Sequence, residues 1–429
     1  MDSEAHYQYL LSLKSVRESA QVAYKAAQAD QLRAFDFHPE KLDDVVDFVC
    51  SVITRDHSPE TFSQIPPHGR WQHFETQGVP RLEGLLNDWK CAGVQNLECT
   101  RRLVDLFLVS VLLDAGAGDV WKYTEEGTGL QIERSEGLAV ASLYAFTTGV
   151  FSGTDFQVDA LGLKVLTAER LGESMQSSAE NPLVGLEGRA ELLQGLGDSL
   201  LSLPEIFGQT GRPGNMVDYL LLSMNESKAL SLELLWDLLQ QLLIPTWPRS
   251  RTLYENKPIG DAWPLHVFSG GASSSGIVIQ PFHKLTQWLT YSLLVVFERL
   301  LDVKWTGTEY LTGLPEYRNG GLYVDTGVLT LKPEVLNRGL AGSDTNLPKF
   351  DASDEAIVEW RSLTVALLDE TLQLVNQKLA AKTKGAAVPL TLAQLLEAGT
   401  WKAGRELAAK YRPQTKCSPI LIQSDGTLF

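Results

Sequence analysis

Cysteine, histidine and net positive charge are all scarce in this 429-residue chain, and each scarcity excludes a class of protein. The cysteines Cys50, Cys91, Cys99 and Cys417 form no C-x-x-C pair, and with only seven histidines they give no metal-ligand spacing. We therefore expect free thiols and neither a metal nor a cofactor. Acidic residues outnumber basic ones by 53 to 37, and the resulting charge of −16 argues against a nucleic-acid or anionic-membrane binder.

Long apolar runs are also absent. The longest, from Trp288 to Leu301, is interrupted by Thr290, Glu298 and Arg299, so it is too short and too polar to span a bilayer. The amino terminus has neither a basic region nor an apolar run, so it does not indicate a secretory signal. We expect a cytoplasmic protein with no membrane and no nucleic acid among its partners.

Helical periodicity dominates the pattern of apolar residues. Predicted helices cover residues 3–30, 40–54, 80–90, 98–114, 136–149, 158–175, 187–200, 214–222, 228–243, 281–301, 354–382 and 391–409. Short strands are predicted at 276–279 and 321–324, with weaker ones near 128–133 and 328–332.

The predicted fold is therefore mainly α, a compact multi-helix body with small β elements. With 44% hydrophobic residues, the chain can bury a large core. We expect either a single large helical unit over 1–429 or two parts, 1–130 and 131–429, that share one cleft.

The segment 68–75 places bases and aromatic residues close together. If it is helical, Arg70, His73 and Phe74 lie near one another at spacings of three and four. Arginine offers forked donors and histidine adds another, which suits a phosphate or a carboxylate. The alternative is an aromatic staple with solvated charges.

Asp114 ends a strongly apolar helix pattern and is followed by Gly116 and Gly118. A helix carboxyl end carries partial negative charge, so an acid there is electrostatically misplaced. Such a local conflict beside the aromatic residues Trp121 and Tyr123 favours a functional site. The alternative is an ordinary exposed acid at a helix end.

Glu316 and Asp325 lie nine residues apart, around what the glycines predict to be a turn. Two carboxylates in different environments are what acid–base or cation-stabilising chemistry requires. Tyr317 and Arg318 add to this cluster. The alternative is a β-hairpin with surface acids.

Three weaker patterns remain open. The loop 266–276 offers backbone amides and hydroxyls that can wrap an anion. The alternative is that this loop is only a surface turn. The row of polar side chains that begins at His283, on one face of a predicted apolar helix, contacts either a ligand or other core groups. Glu359 and Arg361, two residues apart on a helix, face nearly opposite sides, so at least one of them is expected to be structural.

These segments together resemble a fungal and bacterial family of uracil-catabolism proteins, once known only as a domain of unknown function. The matching stretches are Gly69–Glu75, Leu113–Gly118, Asn181–Gly185, Ser269–Ala272, Glu316–Gly321 and Gly399–Arg405. The resemblance covers nearly the whole chain. It implies a pathway that opens the uracil ring of a ribonucleotide, and a protein that separates urea from the remaining ribose phosphate.

A more distant likeness is to the queuosine-salvage glycosidases. Glu316–Arg318 is similar to their acid-Tyr-Arg element, Glu359–Arg361 to their acid-x-Arg helix, and Leu113–Ala115 with Trp121 to a short motif after a leucine-rich helix. This likeness implies N-glycosidic cleavage and a helical fold like that of DNA glycosylases, which is related to the helix-hairpin-helix.

Ribosyl C–N cleavage builds positive charge on the sugar, which a nearby carboxylate stabilises. Under the resemblance, Asp325 or Asp114 is that carboxylate, and Glu316 orients water or sugar hydroxyls. The expected substrate contacts are Arg70, His73 and Arg318 with the phosphate, Trp71, Tyr123 and Tyr317 as pocket walls, and His283, Glu359 and Arg361. The partner is then a small phosphorylated riboside, and the protein is an N-glycosidase.

Two other hypotheses stay open at this point. The same fold could act on another nucleoside 5′-phosphate, or the protein could be a non-enzymatic binding or regulatory component of pyrimidine degradation. The clustered acids and bases argue against the second of these, although no residue excludes it.

Overall fold

Helices account for most of the chain in the computed structural model, which describes residues 2–114, 116–118, 120–248, 251–267, 276–383 and 388–423. In chain order the α-helices are α1 (Ser3–Leu11), α2 (Leu13–Gln28), α3 (Leu42–Asp56), α4 (Arg70–Phe74), α5 (Arg81–Cys91), α6 (Asn96–Leu112), α7 (Arg134–Thr147), α8 (Ala160–Lys164), α9 (Ala168–Ser174), α10 (Leu186–Leu201), α11 (Pro204–Phe207), α12 (Met216–Leu221), α13 (Leu232–Leu243), α14 (Lys284–Leu301), α15 (Tyr317–Asp325), α16 (Pro333–Ala341), α17 (Glu355–Lys382), α18 (Leu392–Leu395) and α19 (Trp401–Tyr411). Within the described ranges, none of them is long and apolar enough to cross a membrane.

Shorter helical turns connect several of these helices. Turns of the 3-10 type lie at Pro39–Lys41, Pro59–Gln64, Thr76–Gly78, Pro213–Asn215, Ile244–Thr246 and Thr308–Tyr310. A π-helical stretch, Leu396–Thr400, joins α18 to α19.

The strands are short and form two-stranded sheets. They are β1 (Phe35–Phe37), β2 (Lys122–Thr124), β3 (Gln131–Glu133), β4 (Ala229–Ser231), β5 (Leu253–Tyr254), β6 (Lys257–Pro258), β7 (Ala262–Val267), β8 (Gly276–Pro281), β9 (Lys304–Thr306), β10 (Leu329–Leu331), β11 (Lys349–Asp351) and β12 (Leu421–Gln423). The antiparallel pairs are β1–β10, β2–β3, β5–β6 and β7–β8, and the parallel pairs are β4–β9 and β11–β12. The prediction of a mainly α fold with small β elements is confirmed.

One unit of the chain comprises Met1–His68, Thr252–Lys284 and Glu309–Ser424. Its longest helix is α17, which begins at the N-cap Asp354 and is buried through most of its first half. This helix packs against α2, α3 and α15, and α15 also packs against α19. A helix that is apolar over so much of its circumference forms the centre of a core.

The other unit comprises Gly69–Arg251 and Leu285–Thr308 among the described residues. Its core is built around α6, in which every side chain from Leu103 to Leu112 is buried. Helix α6 packs against α7, α10 and α12, and α10 packs against α8 and α13. Both units combine segments that are distant in the chain. The expectation of one unit over 1–429, or of parts 1–130 and 131–429, stays a prediction.

Three predicted elements are wrong in whole or in part, and most of a fourth lies outside the described residues. The strand predicted at 321–324, with the turn before it, is the helix α15, because Glu316 caps its start by accepting hydrogen bonds from the backbone amides of Arg318 and Asn319. Residues 3–30 and 158–175 each form two helices rather than one. Most of the predicted anion-binding loop, at 268–275, lies outside the described residues.

The glycines of α15 serve close packing rather than a turn. The indole Nε1 of Trp360 donates a hydrogen bond to the Gly320 carbonyl at 3.0 Å. A Cβ at Gly320 would lie 2.8 Å from the same indole ring. The missing side chain therefore allows α15 to approach α17, although glycine lowers the intrinsic stability of a helix.

We expect Gly320→Ala to lower the free energy of unfolding by about 1–3 kcal/mol, because the added methyl group overpacks the contact with Trp360. The matched control is Gly84→Ala in α5, where the new Cβ would meet no atom within 4 Å. The control should gain about 0.5–1 kcal/mol from its higher helix propensity. Urea denaturation measures both, and equal effects in the two variants would contradict the close-packing role.

Glu359 links α17 to the segment before β1. Its carboxylate accepts hydrogen bonds from the backbone amides of Arg33 at 2.7 Å and Ala34 at 2.8 Å. Burial raises the pKa of Glu359 to about 7, although these two amides oppose the shift. The contact therefore carries a pH dependence.

Between about pH 4.5 and 7, the unfolded chain releases the Glu359 proton while the folded chain keeps it, so stability should fall as the pH rises. Glu359→Gln removes this titration. From pH 5 to 7.5, the unfolding free energy of the variant should rise relative to wild type by about 2–3 kcal/mol. Urea denaturation at both pH values measures the difference, and parallel curves would contradict the raised pKa of this carboxyl.

Candidate functional site

Arg70, the first residue of α4, is completely buried. Its Nε donates to the Ser110 hydroxyl at 2.9 Å, and its Nη2 donates to the Ser110 carbonyl at 2.8 Å. Its Nη1 donates to the Ser135 carbonyl at 3.2 Å. Burial lowers the pKa of Arg70, and the nearby charges of Asp114 and Glu136 oppose this shift. The guanidinium is thus fixed by groups on α6 and α7.

Asp114 lies just after α6 and is paired with this arginine. Its Oδ2 is 2.9 Å from Arg70 Nη1, and its side chain is only 9% exposed. Its Oδ1 is buried and has no hydrogen-bond partner among the residues that the structure describes. A buried carboxylate oxygen without a donor is costly, and such atoms are rare in folded proteins. One oxygen of this carboxylate is therefore held while the other can interact with a reacting group.

His73, one turn after Arg70 in α4, completes the cluster. Arg70 Nη1 lies 3.2 Å from His73 Nδ1. Because a guanidinium can only donate, Nδ1 accepts this hydrogen bond and the ring proton is on Nε2. The imidazole ring lies 5.4 Å from the ring of Trp288. This contact leaves Nε2 of His73 as the ring nitrogen that can donate.

The other predicted residues of this unit make separate contacts. Trp71 is buried, with its ring 6.1 Å from that of Phe107 and the guanidinium of Arg299 4.3 Å from its centroid. Tyr123 is buried and stacks on Tyr144 at 6.0 Å, and burial raises the pKa of Tyr123 to about 12. The structure therefore brings Arg70, His73 and Asp114 together. Helical spacing in the sequence had predicted only that Arg70 and His73 lie near each other.

In the other unit, the two predicted acids are engaged by protein groups. Asp325 ends α15 and forms a two-pronged ion pair with Arg412, at 2.8 and 2.5 Å. Glu316 caps α15, and burial raises its pKa. Arg318 is buried, donates to the Lys416 carbonyl at 2.9 Å, and lies 4.7 Å from the ring of Tyr317. Asp325 and Arg318 connect α15 to the chain that follows α19.

His283 and Arg361 also have well-defined protein contacts. The Nε2 of His283 donates to the Leu10 carbonyl at 2.8 Å, and burial lowers the pKa of this histidine. Arg361 donates to both oxygens of Asp261, at 2.8 and 2.7 Å, and lies over the ring of Phe282 at 3.9 Å. The contacts of Glu359 and Arg361 connect α17 to its neighbours, whereas His283 connects the start of α14 to α1. The predicted substrate roles of the three residues stay predictions.

The sequence reasoning missed Arg189 on α10. This arginine is 1% exposed and donates to the carbonyls of Leu113 and Gly116, on either side of Asp114. The signal was a single arginine among the buried residues Ala190 and Leu193 of an otherwise apolar helix face. Among the described residues, no group of three or more His, Cys, Asp or Glu side chains is arranged to hold a metal ion.

Comparison with known proteins identifies relatives over nearly the full chain. Protein urg3 of Schizosaccharomyces pombe (strain 972 / ATCC 24843) is 50% identical over 425 residues, which cover 98% of each chain. Uracil catabolism protein 4 of Lachancea kluyveri is 46% identical over 441 residues, again 98% of each. Residues 9–429 match the family described as "Protein of unknown function (DUF1688)". The chain belongs to the DUF1688 family.

Proposed function

We propose that this protein acts in uracil catabolism as an N-glycosidase that hydrolyses ribosylurea or its 5′-phosphate to urea and ribose or ribose 5-phosphate. The name of its relative, Uracil catabolism protein 4, supports the pathway. The observation that carries the chemistry is the Asp114 carboxylate, with one oxygen bound to Arg70 and the other buried without a hydrogen-bond donor among the described residues.

Cleavage of the bond between C1′ and the urea nitrogen leaves positive charge on the ribose ring. A carboxylate oxygen that no protein donor occupies stabilises this charge as it develops. The same oxygen can orient water, whose oxygen then bonds to C1′ while the C–N electron pair and one of the water protons go to the urea nitrogen. Arg70 holds the other oxygen and so fixes the direction of the Asp114 carboxylate.

His73 has a separate role in this proposal. Because Nδ1 accepts from Arg70, Nε2 carries the proton and can donate a hydrogen bond to the urea leaving group or to a sugar hydroxyl. The guanidinium of Arg70 is directed at Ser110, Ser135, His73 and Asp114, so we assign it to orienting these groups. Trp71 and Tyr123 remain the proposed walls of the substrate site.

Asp325 was the other acid proposed for the reacting carbon. Both of its oxygens are bound by Arg412, whereas only one oxygen of Asp114 has a protein donor among the described residues. We therefore assign the chemical step to Asp114 and the joining of α15 to the segment after α19 to Asp325.

Asp114→Asn should lower kcat for urea release by on the order of 100-fold or more, because the charge that stabilises the ribosyl cation is lost. Its melting temperature should fall as well, because the fully buried Arg70 loses its carboxylate partner. The matched control is Asp325→Asn, which should keep kcat within about fivefold but lower stability by about 3 kcal/mol, since it leaves Arg412 without its carboxylate. Urea release from ribosylurea and thermal unfolding measure the two effects.

An inactive Asp325→Asn together with an active Asp114→Asn would transfer the chemical role to Asp325. No urea release by wild type from ribosylurea, with or without phosphate, would reject the proposed substrate. A panel of other ribosides and their 5′-phosphates then decides whether a different N-glycosidic bond is cleaved.

Substitutions of His73 test the role of its Nε2 proton. The amide nitrogen of His73→Gln lies near the position of Nε2, whereas that of His73→Asn lies near Nδ1. We expect His73→Gln to lose about tenfold in kcat/KM and His73→Asn about 100-fold or more, because only the first keeps a donor toward the leaving group. Steady-state urea release compares them, and equal losses would contradict donation from Nε2.

A further inference from the structure

Arg189 is a buried cation on α10, four residues after the N-cap Gly185. Burial lowers its pKa to about 10, and the charge of Asp114 opposes this shift. The side chain therefore stays charged at neutral pH. Keeping a buried charge is unfavourable unless every donor is satisfied by an acceptor. The acceptors of Arg189 therefore indicate what this residue does.

The acceptors among the described residues are backbone carbonyls from two segments. Nε donates to Leu113 at 3.2 Å, and Nη2 donates to Gly116 at 3.1 Å, so the two residues lie on either side of Asp114. Nη1 donates to Val184 and, at 3.3 Å, to Gly185. The guanidinium thus bridges the chain around Asp114 to the start of α10.

Two further contacts join the same segments without Arg189. The backbone amide of Val184 donates to the Ala117 carbonyl at 3.3 Å. Gly118 has φ +86°, and a Cβ at this position would lie 2.7 Å from Cγ2 of Val184. Gly118 therefore lies directly against Val184, and a side chain at residue 118 would have to displace that of Val184.

We propose that Arg189 is a positioning residue for the hydrolysis assigned to Asp114, an inference that rests on the proposed function. Arg70 orients the carboxylate through its Oδ2, and Arg189 fixes the backbone from which that carboxylate extends. Together they determine where Oδ1 lies. A planar guanidinium can bind carbonyls of two segments at once, whereas the point charge of lysine cannot replace this fork. A misplacement of about 1 Å at a reacting group is enough to lower the rate on the order of 100-fold.

The first experiment compares Arg189→Met, Arg189→Lys and the control Arg212→Met. Arg212 is a partly buried arginine of the same unit whose partners are the side chains of Glu98 and Asp105. Arg189→Met should lower kcat for urea release about 30- to 100-fold and change KM less than about threefold, because binding groups are untouched. Arg189→Lys should have a kcat between those of Arg189→Met and wild type. Arg212→Met should keep the wild-type kcat even where its melting temperature falls.

Hydrogen exchange gives a second readout that does not depend on turnover. In Arg189→Met, the amide of Val184 and the peptide covering 113–118 should exchange at least about tenfold faster than in wild type. In Arg212→Met, both should exchange at the wild-type rate. Unchanged exchange in Arg189→Met overturns the inference, whether or not wild type releases urea.

Gly118→Ala disturbs the same segment without changing a charge, and Gly127→Ala is its matched control. Gly118→Ala and Gly127→Ala place alanine at nearly equal φ, +86° and +85°, so both carry similar backbone strain. Only the first meets a neighbour, since a Cβ at Gly127 has no atom within 4 Å. Gly118→Ala should therefore lower kcat at least about tenfold, while Gly127→Ala keeps it.

The outcomes separate the inference from the proposed function. Wild type that releases no urea rejects the proposed function, and the exchange rates of Arg189→Met still decide whether the guanidinium holds this segment. If wild type is active, either of two results overturns the positioning role. One is a wild-type kcat in Arg189→Met, and the other is an equal kcat in the two glycine variants. A fall in kcat at nearly constant KM, together with faster exchange confined to these residues, supports it.

Discussion

The buried guanidinium of Arg70 is the constraint on which the site depends. Removed from water, this cation is stable only where each donor meets an acceptor. It finds them on Ser110 of α6, on Ser135 of α7, on His73 of its own helix and on Asp114. The packing of α4, α6 and α7 must therefore hold these acceptors together, so that the apolar core of the unit determines the geometry of its polar centre.

The same reasoning separates the two acids that the sequence left as equals. Arg412 binds both oxygens of Asp325, an arrangement in which charge and hydrogen-bonding capacity are used up within the protein. Arg70 binds one oxygen of Asp114, and the other is buried with no donor among the described residues. Type of residue and local sequence are alike in the two cases. What differs is the number of donors that the fold directs at each carboxylate.

Periodicity was enough to predict the helical fold, because the apolar spacing of α6 and α17 reflects burial directly. It failed at 321–324, where glycines indicated a turn and an extended strand although Glu316 supplies a helix cap and Trp360 packs against Gly320. The proximity of Arg70 to His73 follows from helix geometry. The proximity of Arg70 to Asp114, 44 positions later, and the contacts of Arg189 depend on tertiary packing, which local spacing does not encode.

The unfavourable free energy of forming this site arises when the protein folds, not when a substrate binds. Leaving Asp114 Oδ1 buried without a donor among the described residues costs the folded protein about 1–3 kcal/mol, and burying Arg70 and Arg189 adds to this. The buried apolar side chains of α6 offset these terms when the unit folds. A carboxylate held in advance does not have to reorganise when charge develops beside it. Under the proposed function, the buried Asp114 Oδ1 therefore gains a favourable partner only as the ribosyl cation forms. An interaction made only in the transition state raises kcat rather than tightening substrate binding.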